Sequence, residues 1–216
     1  MNNEIVVREN YHTNVRVDVL SLVPSNMKSV LDIGGGVGSS AAYLKRETSI
    51  ERAVVVDLVS SHSLPEIDKA YIGNLENPEL LDTIHEEQGN FDVIMCLDVL
   101  EHLVDPWALV ERCHEMLNPD GVIVASIPNM RNRRVVIPLV FLGKFELADY
   151  GVLDRTHLRW FVKSSAIELM TSSGLKLEHV EGKYLGWKNR FLDLVTFGLL
   201  SSFLHVQYYI RVRRTK

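Results

Sequence analysis

Val30-Leu31-Asp32-Ile33-Gly34-Gly35-Gly36-Val37-Gly38 decides how the rest of the chain is read. A short β-branched and aliphatic run (residues 29–33) ends beside an acid, and four glycines follow within five positions. Residues 38–46 then carry a helical pattern. Glycines between a strand and a helix permit a tight turn and let a ligand approach the backbone closely. Asp57 closes a second strand over residues 53–56, 23 residues after Gly34. That is where a carboxylate grips a ribose diol in nucleotide-type sites. A glycine loop alone is weak evidence and serves packing in many proteins. With this strand, helix and acid around it, it marks a nucleotide-type cofactor site.

Outward from the loop, apolar runs alternate with helical patterns, which predicts a parallel sheet covered by helices. Residues 70–72 read as a short third strand and residues 91–97 as a fourth, apolar enough to be covered on both faces. Asn77-Pro78 and Asp105-Pro106 each combine an N-cap side chain with proline at the first helical position. Asn118-Pro119-Asp120-Gly121 predicts a turn before a fifth strand over residues 122–127. Ser165 to Glu168 fits a capping box, with Gly174 at C′ of that helix. Residues 175–180 and 207–213 are expected to pair antiparallel at the sheet edge. Residues 130–155 break the alternation and read as a lid or acceptor-side insertion in a single domain spanning residues 1–216.

The chain has 216 residues, 46% hydrophobic and 24% charged, with a formal charge of −5. Those proportions are ordinary for a globular domain with a full core, and the acidity argues against general nucleic-acid binding. The charge is divided unevenly. Residues 1–130 carry 8 basic and 21 acidic side chains, whereas residues 131–216 carry 15 basic and 7 acidic. An anionic partner therefore fits the second part. Cys96 and Cys113 have neither CxxC nor zinc-ligand spacing and read as buried free thiols of a reducing, cytoplasmic compartment. Residues 1–12 lack a secretory pattern, and no apolar run is long enough to span a bilayer. The apolar residues 194–204 are open to three readings: core, homodimer surface or membrane-proximal patch.

Two cofactor classes fit the loop itself. Gly36-Val37-Gly38-Ser39-Ser40-Ala41 matches the G-x-G-x-x-A dinucleotide fingerprint, which would suit an NAD-dependent oxidoreductase. The D-x-G-x-G-x-G pattern from Asp32 to Gly38 instead resembles the first motif of class I S-adenosylmethionine-dependent methyltransferases. Residues 91–106, the Asn118-Pro119-Asp120-Gly121-Val122 turn and Ile127-Pro128-Asn129 resemble the fourth-to-fifth-strand region of ubiquinone-biosynthesis-type O-methyltransferases. The resemblance covers residues 28–130. It implies a Rossmann-like, doubly wound α/β fold: seven mostly parallel strands, the last antiparallel, with helices on both faces. It implies S-adenosyl-L-methionine as cofactor. Asp32, Gly34, Gly36 and Gly38 would meet its methionine part and Asp57 its ribose. Leu58, Asn74 and Leu75 would flank the adenine, and Leu97 would lie beneath the cofactor. Asn74 stands where many relatives have aspartate, and Gly35 where alanine or cysteine is common, a change expected to be harmless. Asp154-Arg155-Thr156-His157-Leu158-Arg159-Trp160-Phe161 resembles a subgroup tied to glycan modification. A non-catalytic cofactor-binding module is the remaining alternative.

Methyl transfer to a hydroxyl benefits from a base that titrates near neutrality. His102, just past the fourth strand, and His157 are the candidates; each also has a structural reading, His157 as a partner of Asp154. Asp98, Glu101 and His102 at i, i+3, i+4, with His157, resemble the metal cluster of small-RNA 2′-O-methyltransferases, but no metal is assigned. Arg131, Arg133 and Arg134 suit an anionic, lipid-linked or nucleotide-linked acceptor, small-molecule or glycan in type, or form a solvated basic loop.

Overall fold

The computed structural model describes residues 15–59 and 63–215; the segment 1–12 and the end of the basic tail, Lys216, lie outside them. Strands β1 (Ser29–Ile33), β2 (Arg52–Asp57), β3 (Lys69–Ile72), β4 (Phe91–Leu97), β5 (Leu117–Pro128), β6 (Lys176–Tyr184) and β7 (His205–Arg213) form one sheet in the order β3-β2-β1-β4-β5-β7-β6. The first five run parallel, and β7 runs antiparallel to both β5 and β6. This is the expected seven-stranded, doubly wound sheet.

Alternation of side chains divides the core into two layers. Leu31, Ile33, Val56, Ile94 and Cys96 meet α3 (Pro78–Gln88), α4 (Pro106–Glu115) and α6 (Lys163–Thr171) on one face. Val30, Val55, Val93 and Met95 meet α1 (Val17–Leu20) and α2 (Ser39–Glu47) on the other. Asn77 Oδ1 accepts from Glu79 N at 3.1 Å, and Asp105 Oδ1 from Ala108 N at 3.1 Å, so both Asx-Pro starts cap helices as read. β1 lies between β2 and β4, where the strand order reverses. The crevice beyond the carboxyl ends of these strands is where doubly wound sheets bind ligands.

Three local readings shift. The Asn118–Gly121 turn lies inside β5: Phe91 pairs with Leu117 and Val93 with Val122, so the turn loops out opposite Asp92. Ser165 is the third residue of α6, not its cap, and its Oγ accepts from Val162 N at 3.0 Å. Gly174 (φ 89°) comes one position beyond C′. The insertion contains α5 (Arg133–Leu142) and an irregular return. Residues 185–204 hold two helices that the sequence reading did not separate, α7 (Trp187–Val195) and α8 (Ser201–Leu204). Within residues 194–204 only Leu204 is buried, so the core reading fails for the rest. No helix of the described residues is long and apolar enough to cross a membrane.

Candidate active site

The glycine loop turns at the carboxyl end of β1 with Gly34, Gly36 and Gly38 all at positive φ (69°, 57° and 84°). A Cβ on Gly34 would lie 2.5 Å from Val99 Cγ2. Gly34 N donates to Val56 O at 2.8 Å, and Gly36 N to Asp57 Oδ2 at 2.8 Å, so the loop is pinned to the end of β2. Asp57 Oδ1 accepts from Val59 N at 2.9 Å. Each Asp57 oxygen keeps a second lone pair for a hydroxyl.

Asp32 is 2% exposed, and its Oδ2 has no partner among the described residues. Burial, with a smaller contribution from Asp57, pushes its pKa up to about 7. The Ala41 backbone hydrogen-bonds the carboxyl, but a buried carboxylate oxygen left without a donor is costly until a cation or donor reaches it. The Asp32 side chain folds over Gly35, where a Cβ would lie 2.5 Å from Asp32 Cγ. Alanine at this position would displace the carboxyl, so in this chain the glycine is what makes room for Asp32. Leu58, Asn74, Leu75 and Leu97 sit at or just beyond the carboxyl ends of β2, β3 and β4. Leu58 and Asn74 are exposed, Leu75 and Leu97 half-buried. Asn74 Oδ1 accepts from Glu76 N at 3.0 Å. An acid with one orphaned oxygen, a hydroxyl-accepting acid and a close-approach backbone form a donor set that fits an amino acid–nucleoside cofactor.

Beyond β4 the chain makes one 3₁₀ turn (Leu100–His102). It buries Glu101 to 1% exposure and leaves His102 half-buried. Thr156 Oγ1 donates to Asp154 Oδ1 at 2.7 Å, which leaves its lone pairs for His102 Nδ1, 3.1 Å away. Thr156 O lies 3.3 Å from the same nitrogen. This arrangement favours a proton on Nδ1 and a free Nε2 lone pair. His157 does not pair with the Asp154 carboxylate as read from sequence. Its Nδ1 lies 3.1 Å from Val152 O, which only accepts, so Nε2 is the open nitrogen and faces Glu101 Oε1 at 4.0 Å. Burial, then His102, lowers the His157 pKa and keeps the ring neutral. Burial, then Asp98, raises the Glu101 pKa well above the carboxylate range, and neither oxygen has a partner. The two imidazoles meet edge to face at 4.7 Å. Glu101, His102 and His157 present donor atoms within 4.8 Å of one another, a spacing that also suits one divalent cation.

Asp98 leaves that cluster. It ends β4 at φ 58° and accepts from Ser126 Oγ at 2.9 Å and Gln207 Nε2 at 2.5 Å, while Arg16 pairs with its other oxygen. Arg16, Gln207 and the Asp154–Thr156 link went unread in the sequence; only the acids and histidines carried a signal. The three arginines part company. Arg131 lies over the Phe203 ring at 4.5 Å, Arg133 donates to Asn189 Oδ1 at 3.1 Å, and Arg134 is exposed.

The family described as "Methyltransferase domain" matches residues 8–180. The ubiquinone biosynthesis O-methyltransferase of Xanthomonas axonopodis pv. citri is 29% identical over 184 residues, 82% of this chain and 75% of that protein. Its namesake from Xylella fastidiosa (strain 9a5c) is 29% identical over 185 residues, covering 82% and 73%. Among solved structures, a SAM-dependent methyltransferase from Archaeoglobus fulgidus superposes with a TM-score of 0.60 at 18% identity, over 88% of this chain and 87% of its own. A Haloferax volcanii putative methyltransferase, solved with its Trm112 activator, gives 0.62 at 13%, over 95% and 90%. These two share the fold. S-adenosylmethionine, and not a dinucleotide, is the cofactor, and the chain belongs to the class I S-adenosylmethionine-dependent methyltransferases.

Proposed function

We propose that this methyltransferase acts on a hydroxyl of a small-molecule or glycan-type acceptor, with His102 taking the hydroxyl proton. The observation that carries the proposal is the Asp154–Thr156–His102 hydrogen-bond chain beside the carboxyl end of β4. It orients the imidazole as the third member of a base triad does. The name of the curated relatives supports oxygen as the acceptor atom.

Bound S-adenosylmethionine supplies an electrophilic methyl group on a sulfonium. Asp32 and the Gly34–Gly36–Gly38 backbone would hold its methionine part and Asp57 its ribose hydroxyls. Leu58, Asn74 and Leu75 would flank the base, with Leu97 beneath. The acceptor hydroxyl would be the nucleophile toward that methyl group, and His102 Nε2 would take the hydroxyl proton. Alignment supplies most of the rate, and general-base assistance about 10²–10⁴-fold. Neutral His157 and buried Glu101 position the base. Arg134, with the Arg131–Arg133 segment, would meet an anionic part of the acceptor.

The unpartnered Glu101 oxygens favour a second reading, in which Glu101, His102 and His157 hold a divalent cation that acidifies the hydroxyl. A methyl-transfer assay across phenolic, sugar-hydroxyl and amine acceptors, run on wild type and H102Q, tests the proposal. Turnover on a hydroxyl that falls about 10²–10⁴-fold in H102Q, with cofactor affinity kept and no effect of chelator, is the expected result. Turnover confined to amines, or H102Q at full rate, sinks it. Activity abolished by chelator and restored by a divalent ion selects the second reading.

A further inference from the structure

Helix α7 is built inside out. Its buried positions are Asn189 and Asp193. Asn189 bonds Arg133 and the Leu185 carbonyl, and Asp193 accepts from Tyr184 and Ser201. Its apolar side chains Phe191, Leu194 and Val195 face solvent. A surface helix of a globular protein has the opposite arrangement. The turn that follows continues the pattern. Phe197 is 93% exposed at φ 51°, a backbone region uncommon for a bulky residue, and Leu199 is 82% exposed. The Arg133–Asn189 hydrogen bond fixes α7 against the first residue of α5. Of 24 exposed large apolar residues among the described ones, nine fall between Leu185 and Leu200, in and around α7.

We propose that α7 and the turn at residues 196–200 form a docking surface for an anionic phospholipid bilayer. Charge selects this occupant over a second copy of the chain. Lys188 and Arg190 are exposed on α7, and its one acid, Asp193, is turned inward. The net charge of residues 131–216 is +8. A two-fold dimer through this face would set like charges against like, whereas anionic headgroups complement them. Exposed Trp187 adds an indole suited to the headgroup boundary. No helix among the described residues is able to span, so this surface docks shallowly, with its apolar side chains entering the boundary between headgroups and acyl chains. The inference does not rest on the acceptor assigned above.

The test uses the full chain and sedimentation with vesicles of phosphatidylcholine, alone or with about 30% phosphatidylglycerol. The wild type should sediment with the anionic vesicles and several-fold less with the neutral ones. The double variant F197N/L199S should lose binding about tenfold or more with S-adenosylmethionine affinity intact; asparagine tolerates the left-handed backbone, so the turn is spared. K188E/R190E should lose the preference for anionic vesicles. No sedimentation, sedimentation indifferent to both double variants, or a vesicle-free dimer by light scattering that F197N/L199S dissolves would each overturn the proposal.

Discussion

Replacing Asp32 with asparagine keeps the shape of the buried side chain and removes its charge. In the cofactor-free protein the carboxyl's pKa is pushed up from 3.8 to about 7, by burial first and Asp57 second. The folded state therefore holds this proton more tightly than the unfolded chain does. Stability from this group is full below the unfolded pKa and is lost as pH rises from about 4 to about 7. At about 1.4 kcal/mol per unit, the whole span comes to about 4 kcal/mol. Roughly 2.5 kcal/mol of it falls between about pH 5 and about pH 8. Urea unfolding of both proteins without cofactor at those two pH values isolates the effect, since every other group is common to both. The wild type should lose about 2.5 kcal/mol more than D32N on going to the higher pH, with the slope on urea unchanged. D32N should be the more stable protein at about pH 8, yet bind S-adenosylmethionine at least tenfold more weakly by calorimetry. Parallel losses in the two proteins, or undiminished cofactor affinity, would refute the placement of Asp32 as a buried, cofactor-facing acid with one oxygen unsatisfied.

The other predictions probe contacts one at a time. Gly35→Ala puts a methyl group 2.5 Å from Asp32 Cγ, so it should weaken cofactor binding about tenfold and lower stability by about 1–3 kcal/mol; unchanged calorimetric titrations would remove the contact from the account. Thr156→Val should lower kcat about tenfold by releasing His102, with Thr156→Ser restoring it. If serine fails to rescue, the hydroxyl is not what orients the base. Arg134→Gln should raise KM for an anionic acceptor and leave the cofactor's dissociation constant alone, whereas R131Q and R133Q should also lower thermal stability, because those side chains hold α8 and α7. Equal effects from all three would undo that division.

The half of the chain that carries the glycine loop could be read because its physics is local. A strand, a glycine turn and a helix occupy consecutive residues, so the left-handed glycines, the two Asx-Pro helix starts and the acids at the ends of β1 and β2 are all written in short stretches. Strand boundaries followed from apolar runs, and β1 and β4 match their expected limits. The turn at residues 118–121 was legible as chemistry but not as placement, because pairing partners, and not propensity, decide whether a turn ends a strand or loops out of it.

What only the tertiary structure decided lies between residues distant in sequence. His102 meets Thr156 across 54 positions, and Arg16 meets Asp98 across 82. The latter contact takes Asp98 out of the histidine cluster that helical spacing suggested. Burial then separates the roles of side chains of one type: one Asp32 oxygen and both Glu101 oxygens lack hydrogen-bond partners, whereas Asp98 is paired. Composition showed that the second part of the chain is basic and that residues 194–204 are apolar. It could not show which way those side chains point. A helix's exposed face is set by what it packs against, and α7 packs through Asn189 and Asp193.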